Sequence, residues 1–361
     1  MELSDKLEVL RKEIDEIDKK ICQLLDKRIG IVKEIGKIKK EQNIPTIDHI
    51  REKKIYDNIK SMKFQNISNE SLINIYKEII GAGRAIQEPK NVIAYLGPEG
   101  TFSEYATKKF FSKNNHEFLP CKSISSIFRQ VQNNIAKYGV IPVENSMEGS
   151  ISESLDLLIR TPLKVCGEIT ERITHNLISK FNYNLTDIKY IISHPQPLRQ
   201  CRMFIEEYLS HAQTIEVEST ATAVKMLNQI PYSVAIGTTT AADLYNMQIL
   251  YKGIEDNPNN FTRFLIVGNE PIQIEGTKKT SIIFSVKHEP GALVDALKPF
   301  QLKNINLLKL ESRPNRENPW EYYFFTDFVG DIKDKKIQEA LDELKKKTLF
   351  FKILGSYTVS K

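Results

Sequence analysis

The chain has 361 residues, more than one ordinary hydrophobic core accommodates, so two or three domains are expected. Its 51 Lys and Arg residues slightly exceed its 46 Asp and Glu residues, and the two signs are interspersed. This pattern excludes a concentrated basic segment for binding nucleic acid. No apolar run approaches the ~18 residues of a membrane-spanning helix, and the first residues lack the apolar core of a secretory signal. We therefore expect a cytoplasmic protein that has neither a nucleic acid nor a membrane as its partner.

The cysteines offer no metal site. Cys22, Cys121, Cys166 and Cys201 lie far apart and form no Cys-x-x-Cys pair, so reduced, structural thiols are expected. No segment has the glycine spacing and lysine of a phosphate-binding loop. We expect no metal and no cofactor.

Apolar residues from Leu7 to Ile38 repeat at alternating spacings of three and four, and no proline occurs before Pro45. This heptad pattern predicts a helix over about residues 5–40, roughly 50 Å long at ~1.5 Å per residue. Two further helices, predicted over 47–62 and 71–87, are too short to cover it. We therefore predict an all-helical domain that dimerises.

One heptad position that calls for an apolar side chain is occupied by Arg28. A buried charge requires a partner, although an arginine can also pack its stem along the helix and reach solvent. Further charged residues belong to the same predicted bundle: Arg11 beside the seam, Lys39 three turns beyond Arg28, and Asp48 and Glu52 in the next segment. The pattern indicates a cluster of cations and carboxylates.

The segments Leu10–Asp15, Gly36–Lys39 and Asp48–Glu52, together with Arg28, resemble the all-helical chorismate mutase family, over essentially the whole of a domain at residues 1–90. The resemblance implies a pericyclic rearrangement of chorismate, which needs a compact conformer and charge stabilisation at the ether oxygen but no nucleophile. It also implies that Arg28, with Arg11 of a second subunit, holds the two carboxylates, that Lys39 and Gln87 face the ether oxygen, and that Glu52, Asp48 and Arg51 lie at the ring hydroxyl.

Gly83 departs from that family's pattern, because some relatives have a polar side chain there that supports a substrate carboxylate. An alternative is therefore that the helical domain only dimerises. Gln87 has no distinctive spacing of its own, and its role is implied by the resemblance alone.

Beyond Pro89 the heptads give way to short apolar runs, each followed by Gly, Ser, Thr or Asn and then by a helical pattern, which predicts an α/β fold. Because strand ends in such folds meet at one side of a sheet, their hydroxyl and amide groups predict an anion-binding cleft. Each Ser or Thr alone could equally be a helix N-cap. The predicted strands are 91–96, 138–143, 190–193 and 234–237.

Four motifs in this part resemble prephenate dehydratase: Gly97–Ser103, Ile141–Ser146, Ser193–Gln196 followed by Gln200–Cys201, and Thr262–Phe264. The likeness implies two α/β lobes joined by crossing strands, similar to periplasmic solute-binding proteins, with the active site between the lobes.

The dehydratase resemblance assigns residues 91–270 to one domain and Thr262 to the role of general acid. A threonine hydroxyl is a weak acid, but aromatisation drives the loss of carbon dioxide and hydroxide from prephenate, so modest assistance suffices. Arg263 is expected to pair with a substrate carboxylate. Glu144, Asn145, Ser193 and Gln200 are expected to line the site. His194 precedes a proline at a strand-to-helix turn, which favours a structural role.

After the polar, linker-like stretch Pro271–Lys279, the element order β-α-β-β-α-β predicts a ferredoxin-like domain at residues 278–361. It resembles an ACT regulatory domain, which implies that L-phenylalanine is an effector. The expected phenylalanine-binding residues are Gly291, Ala292, Leu293 and Val294 in one motif, and Glu311, Ser312, Arg313 and Pro314 in the other.

The three resemblances together predict an enzyme with two activities, which converts chorismate to prephenate and prephenate to phenylpyruvate and is inhibited by phenylalanine. We expect a homodimer or a higher homo-oligomer. Two alternatives are a regulated dehydratase whose helical domain only dimerises and a non-catalytic small-molecule sensor.

Overall fold

The structure is a computed structural model that describes residues 3–42, 44, 48–87, 91–111, 116–272, 276–315 and 320–359. The chain divides into two compact units. The helical unit comprises residues 1–91 and 111–117, and the α/β unit comprises 92–110 and 118–361. Residues 273–275 of the predicted linker lie outside the described residues. No helix in the described ranges is both long and apolar enough to cross a membrane.

The helical unit has the predicted helices, α1 (Leu3–Glu41), α2 (His49–Ser61) and α3 (Asn69–Gln87). Helix α3 packs against both α1 and α2. The apolar positions of the α1 heptads, which we call the α1 seam, are exposed: Leu7, Leu10, Ile14, Ile17, Ile21, Leu24, Ile31, Ile35 and Ile38. The two shorter helices therefore leave one apolar stripe of α1 uncovered, as the heptad pattern indicated.

The first lobe of the α/β unit is built on a sheet of strand order β2-β1-β3-β11-β5, with β4 beside β3. Its elements are β1 (Asn91–Leu96), α4 (Phe102–Phe110), β2 (His116–Cys121), α5 (Ile124–Gln132), β3 (Tyr138–Asn145), β4 (Gly149–Ser150), α6 (Ser152–Arg160) and β5 (Lys164–Arg172).

The second lobe has its own sheet, of strand order β10-β6-β9-β7-β8. Its elements are β6 (Asn176–Ser179), β7 (Tyr190–Ser193), α7 (Pro195–Gln200), α8 (Arg202–Tyr208), β8 (Gln213–Glu216), α9 (Thr220–Met226), β9 (Ser233–Gly237), α10 (Thr239–Leu244) and β10 (Gln248–Lys252). The chain then returns to the first sheet as β11 (Phe261–Gly268). The two crossings, after β5 and after β10, give the predicted two-lobe fold.

Strand β11 lies between β3 and β5 and is antiparallel to both. Its register pairs Thr262 with Asn145 and Arg263 with Glu144. Because successive side chains of a strand point to opposite faces, Thr262 and Asn145 share one face of the sheet while Arg263 and Glu144 share the other.

The carboxyl-terminal domain has the predicted β-α-β-β-α-β order and a sheet of strand order β13-β14-β12-β15. Its elements are β12 (Lys278–Ser285), α11 (Ala292–Leu302), β13 (Leu307–Pro314), β14 (Tyr322–Val329), α12 (Lys335–Lys346) and β15 (Phe350–Thr358).

This domain shares a hydrophobic core with the first lobe. Phe325 and Leu354 of its sheet belong to the same buried cluster as Leu265 of β11. Strand β15 also lies against β5 so closely that a Cβ atom on Gly355 would come within 2.1 Å of the Val165 carbonyl oxygen. The domain is therefore integrated with the first lobe and is not a separate body on a linker.

The spacing of Ser150 and Glu153 is that of a capping box, which would start a helix after Ser150. Helix α6 instead begins at Ser152, and Ile151 at its N-cap makes no side-chain capping bond. The Ser150 hydroxyl donates instead to the Glu311 carboxylate of β13. A tertiary partner has replaced the local one.

Candidate active sites

The first candidate site is a cavity of 240 Å³ in the helical unit. It brings together charged side chains that are far apart in the sequence: Arg28 and Lys39 from α1, and Asp48, Arg51 and Glu52 from the start of α2. Asp48 also caps α2, because its carboxylate accepts the Arg51 backbone N–H at 2.9 Å. The side chains that line this cavity are those of an anion-binding site with carboxylates at one side.

Arg28 is placed to receive a ligand. Its Nη1 is buried and, among the described residues, has no hydrogen-bond partner. A buried guanidinium nitrogen without a partner is costly, so an anionic ligand would stabilise it. Gly83 also lines the cavity, where a Cβ atom would lie 3.2 Å from Val32 Cγ1 and 3.8 Å from Arg28 Nη1.

The structure does not test the roles expected of two further residues. Arg11 is exposed on α1 and does not line this cavity, which leaves open the expectation that it serves a second subunit. Gln87 ends α3, and its side chain lies outside the described residues. Both assignments stay predictions.

The second candidate site is a cavity of 380 Å³ between the two lobes of the α/β unit. The first lobe contributes Asn145 and Thr262, and the second contributes Gln200. Hydroxyl groups at helix starts add to the lining, namely those of Thr101 and Ser103 at α4, Ser150 before α6, and Ser219 and Thr220 at α9. Among the residues that the structure describes, no lysine or arginine lines this cavity.

A chain of side-chain amides with a fixed direction crosses the cleft. The backbone N–H groups of Met147 and Glu148 donate to Asn145 Oδ1, at 3.0 and 3.2 Å. The Nδ2 of Asn145 is therefore the donor to Asn260 Oδ1 at 2.8 Å, and Asn260 Nδ2 donates in turn to Gln200 Oε1 at 3.1 Å. Because the backbone donors set the first amide, the orientation of each following amide is also determined.

Thr262 receives a hydrogen bond from this chain. Asn145 Nδ2 donates to Thr262 Oγ1 at 3.0 Å, and Thr262 is only 9% exposed. A hydroxyl that accepts in this way keeps its own proton for another acceptor. Thr262 lines the cavity, so a ligand oxygen there could receive that proton.

His175 ends the same chain and was not predicted from the sequence. It lines the cavity at 1% exposure, and its Nε2 lies 2.8 Å from Gln200 Oε1. Burial lowers the pKa of the imidazole, against the opposing effects of Gln200 and Glu255. Its backbone N–H donates to the Glu255 carboxylate at 2.9 Å. Its only sequence signal was its position before a short apolar run, which no motif marks.

The contacts of His194 and Cys201 fit the structural roles expected of them, and His194 also lines the cleft. His194 is the N-cap of α7, where its Nδ1 accepts the Gln196 backbone N–H at 3.2 Å. Cys201 is fully buried, and burial raises the pKa of its thiol, which opposes formation of a nucleophilic thiolate.

The expected role of Arg263 needs correction. Its guanidinium lies on the opposite face of β11 from Thr262 and is absent from the cavity lining. Its Nη2 lies 2.6 Å from Glu168 Oε2 and 2.6 Å from Asp327 Oδ2. Arg263 therefore links the first lobe to the carboxyl-terminal domain. The alternation of side chains along β11 puts Arg263 on that face of the sheet.

Glu144 and Ser193 were also expected to line the cleft, and neither does. Glu144 shares the outer face with Arg263 and lies 2.7 Å from Lys309 Nζ. Ser193 is fully buried, and its hydroxyl donates to the Ile236 carbonyl at 2.8 Å. Their motifs mark the correct strand ends, but these two side chains support the sheets.

The contacts of Arg263 form a buried cluster that also includes Lys279 and Tyr357. Lys279 Nζ lies 2.9 Å from Glu168 Oε2. Burial alone would lower the pKa of the Arg263 guanidinium, but the carboxylates of Asp327 and Glu168 raise it above its usual value. Burial alone would raise the pKa of Asp327, but Arg263 and Lys279 hold it below its usual value. The Arg263 guanidinium and the Asp327 carboxylate are therefore both in their charged forms.

The carboxyl-terminal motif Glu311–Pro314 also contacts the first lobe. Arg313 Nη1 donates to Ser152 Oγ at 2.7 Å, and Arg313 Nη2 lies 3.1 Å from Asp156 Oδ1, both on α6. The other expected phenylalanine-binding motif begins at Gly291, whose φ of 85° is left-handed and suits glycine. The following residues Ala292, Leu293 and Val294 start α11, with Val294 exposed.

Comparisons with known proteins agree with this architecture. The profile of prephenate dehydratase matches residues 93–272, that of chorismate mutase type II matches 10–88, and that of the ACT domain matches 280–346. A relative from Aquifex aeolicus, named bifunctional chorismate mutase/prephenate dehydratase, is 41% identical over 98% of both chains.

Solved structures resemble the α/β unit. The crystal structure of prephenate dehydratase from Arthrobacter aurescens in complex with L-Phe is 30% identical, with a TM-score of 0.68, and covers 74% of this chain and 89% of that one. GqqA, described as a novel type of quorum quenching acylase, is 28% identical, with a TM-score of 0.67, and covers 75% of this chain and 98% of that one.

Two enzyme modules and an ACT domain in one chain define a multifunctional enzyme that acts on chorismate and prephenate. The chain belongs to the family of bifunctional chorismate mutase/prephenate dehydratases. The two activities predicted from the sequence are confirmed at the level of this family, which does not support the non-catalytic alternative.

The corrected role of Arg263 leads to a prediction. The variant Arg263→Leu leaves Glu168 and Asp327 buried with one cation fewer, so we expect it to lower the free energy of unfolding by about 3–5 kcal/mol. The Michaelis constant of the folded fraction for prephenate should be unchanged. Urea unfolding and dehydratase kinetics measure the two quantities.

Arg202→Leu is the matched control, because Arg202 pairs with Glu206 at 2.6 Å on the exposed surface. Because solvent screens this pair, its loss should leave the free energy of unfolding nearly unchanged. A large rise in the Michaelis constant for Arg263→Leu at unchanged stability would return Arg263 to the substrate site.

Proposed function

We propose that chorismate is rearranged in the cavity of the helical unit and that prephenate is converted to phenylpyruvate in the cleft between the two lobes, with Thr262 as the proton donor. The observation that carries this assignment is the Asn145 amide, which donates to Thr262 Oγ1 and leaves the threonine proton for the substrate. The same bond would stabilise negative charge that develops on Oγ1 as the proton leaves.

In the dehydratase step, the bond from the ring to the departing carboxylate breaks and its electrons enter the ring. The carbon–oxygen bond of the ring hydroxyl then breaks with both electrons on oxygen, which takes the Thr262 proton and leaves as water. Carbon dioxide departs, the ring becomes aromatic, and solvent returns a proton to Thr262. The cleft's main contribution is alignment of a substrate that is already poised to aromatise.

In the helical unit, the roles implied by the resemblance agree with the cavity lining. We assign Arg28 to a substrate carboxylate, Lys39 to the ether oxygen, and Glu52 with Asp48 and Arg51 to the side of the ring hydroxyl. The unpartnered Nη1 of Arg28 supports its assignment. A rearrangement that separates charge at the ether oxygen is accelerated by fixed cations of this kind.

Single changes should separate the two activities. Thr262→Val removes the hydroxyl at nearly constant volume, so we expect dehydratase kcat to fall at least about 100-fold while the mutase rate is kept. Arg28→Leu should reduce the mutase rate about 100-fold or more and leave dehydration unchanged. Each purified variant is assayed with chorismate and with prephenate.

Thr262→Ser is the control for the first change, because it keeps a hydroxyl and should retain most of the activity. Equal loss of both activities in either variant would indicate misfolding. Full dehydratase activity in Thr262→Val would remove the threonine from the mechanism, and a wild-type protein without mutase activity would make the helical unit a dimerisation module.

An acylase function, suggested by the likeness to GqqA, is not favoured by this cleft. A threonine nucleophile needs a neighbouring base to take its proton. Among the described residues, the side chain that hydrogen-bonds to Thr262 Oγ1 is the Asn145 amide, which is a donor in that bond and not a base.

We also propose that the chain is a homodimer through the α1 seam. Exposed apolar residues on a monomer are usually scattered singly, whereas the α1 seam exposes many of them along one helix. Such a stripe is typical of an interaction face. Arg11 lies on α1 outside the cavity of its own subunit, which fits the expectation that it completes the cavity of a partner.

Subunit complementation tests this arrangement. Arg11→Ala and Arg28→Ala homodimers should each lack mutase activity. Co-expressed subunits should recover it in part, because a mixed dimer contains one cavity with both arginines intact. Chorismate turnover by the co-purified mixture is the measurement. If the mixture is as inactive as the two variants, Arg11 does not act across the dimer.

We further propose that L-phenylalanine binds the ACT domain and inhibits the dehydratase. One similar structure contains L-Phe, and here the Glu311–Pro314 motif contacts α6, whose preceding residues Ser150 and Ile151 line the cleft. An effector bound at this motif could therefore favour a less active arrangement of the cleft.

Arg313→Gln, which alters the expected binding motif and removes its bonds to Ser152 and Asp156, should reduce the inhibition of dehydratase activity by saturating phenylalanine. Lys298→Gln, an exposed change in the same domain, is the control. Point variants are preferable to truncation because the domain shares its core with the first lobe. A wild-type enzyme that saturating phenylalanine does not inhibit would contradict the effector role.

The expected cytoplasmic location also stays a prediction, and fractionation of cells tests it.

A further inference from the structure

His175 and Gln200, which both line the cleft, carry an acceptor and a donor that no hydrogen bond within the described part of the chain uses. The amide chain makes Gln200 Oε1 an acceptor, so His175 Nε2, at 2.8 Å from it, carries a hydrogen. His175 Nδ1 and Gln200 Nε2 remain, and both are buried with no hydrogen-bond partner in the described part of the chain. Both residues line the 380 Å³ cavity.

Buried polar atoms without partners are rare in native proteins and are expected to be satisfied by a ligand or water. Burial lowers the pKa of His175, so its imidazole is neutral near pH 7 and Nδ1 is a hydrogen-bond acceptor. Gln200 Nε2 is a donor. A carboxylate has no proton to offer Nδ1, whereas a hydroxyl group can donate one hydrogen bond and accept two.

We propose that His175 is a catalytic residue of the dehydratase, whose Nδ1 accepts a hydrogen bond from the leaving hydroxyl of the substrate. This inference rests on the proposed dehydratase function of the cleft. Thr262 and Gln200 donate to the same hydroxyl oxygen, so that one acceptor and two donors match its one proton and two lone pairs.

This arrangement favours the transition state over the bound substrate. As the Thr262 proton moves to the hydroxyl oxygen and the carbon–oxygen bond breaks, the hydroxyl becomes more acidic and its bond to His175 Nδ1 strengthens. The leaving water then holds its original proton toward His175 and the new proton from Thr262. An interaction that strengthens in this way raises kcat.

Two variants separate this role from a structural one. His175→Asn has an acceptor oxygen near the position of Nδ1 but is too short to reach Gln200. His175→Gln has an amide N–H that reaches Gln200 but no acceptor near Nδ1. We expect dehydratase kcat to fall about 100-fold in His175→Gln and far less in His175→Asn. The melting temperature measures the stability of each variant, and the mutase rate is an internal control for the amount of active protein.

A greater loss in His175→Asn than in His175→Gln would mean that the link to Gln200 is what matters, and it would overturn the proposal. Equal, wild-type activity in both would do the same. His175→Ala gives a second test, since added imidazole should restore its kcat, and failure to do so contradicts the role. If Thr262→Val is fully active or the wild type makes no phenylpyruvate, the proposed function has failed and not this inference alone.

Discussion

The alternation of side chains along β11 is the constraint on which the α/β unit depends. Thr262 faces the cleft, and the next residue, Arg263, lies in a buried ion cluster with Glu168 and Asp327 on the other face. A strand cannot shift by one residue without exchanging its two faces. The ion cluster therefore holds the register that puts the threonine hydroxyl beside the Asn145 amide, and it ties that register to the ACT domain.

The two cavities differ in charge in a way that suits their reactions. The helical cavity contains Arg28, Lys39 and Arg51, which fit a rearrangement that develops charge at an ether oxygen. In the cleft, the described lining has hydroxyls, amides, histidines and the carboxylates of Glu148 and Glu218, but no lysine or arginine. A cation paired with the carboxylate that leaves as carbon dioxide would stabilise the substrate more than the transition state and slow the reaction. Neutral donors orient the substrate without that penalty.

The sequence predicted the order of domains, the three helices and the ACT strands well, because their periodicities are regular. It also identified Thr262, Asn145 and Gln200, which the fold brings to one cavity. Arg263, Glu144 and Ser193 were misplaced because a motif marks a strand end but not the face to which each side chain points. His175 was missed because its role arises from a chain of amides separated widely in sequence, which no local pattern reveals. The boundaries of the three domains stay predictions.

The shared core between the ACT domain and the first lobe has a consequence for how such a chain can be rearranged by recombination. The helical unit is compact by itself, which is the property of a module that gene fusion can add or remove. A junction near residues 270–280 would separate Leu265 from Phe325 and Leu354 and leave Arg263 without Asp327. We therefore expect the first lobe and the ACT domain to be inherited together, whereas the helical unit can be gained or lost as a separate module.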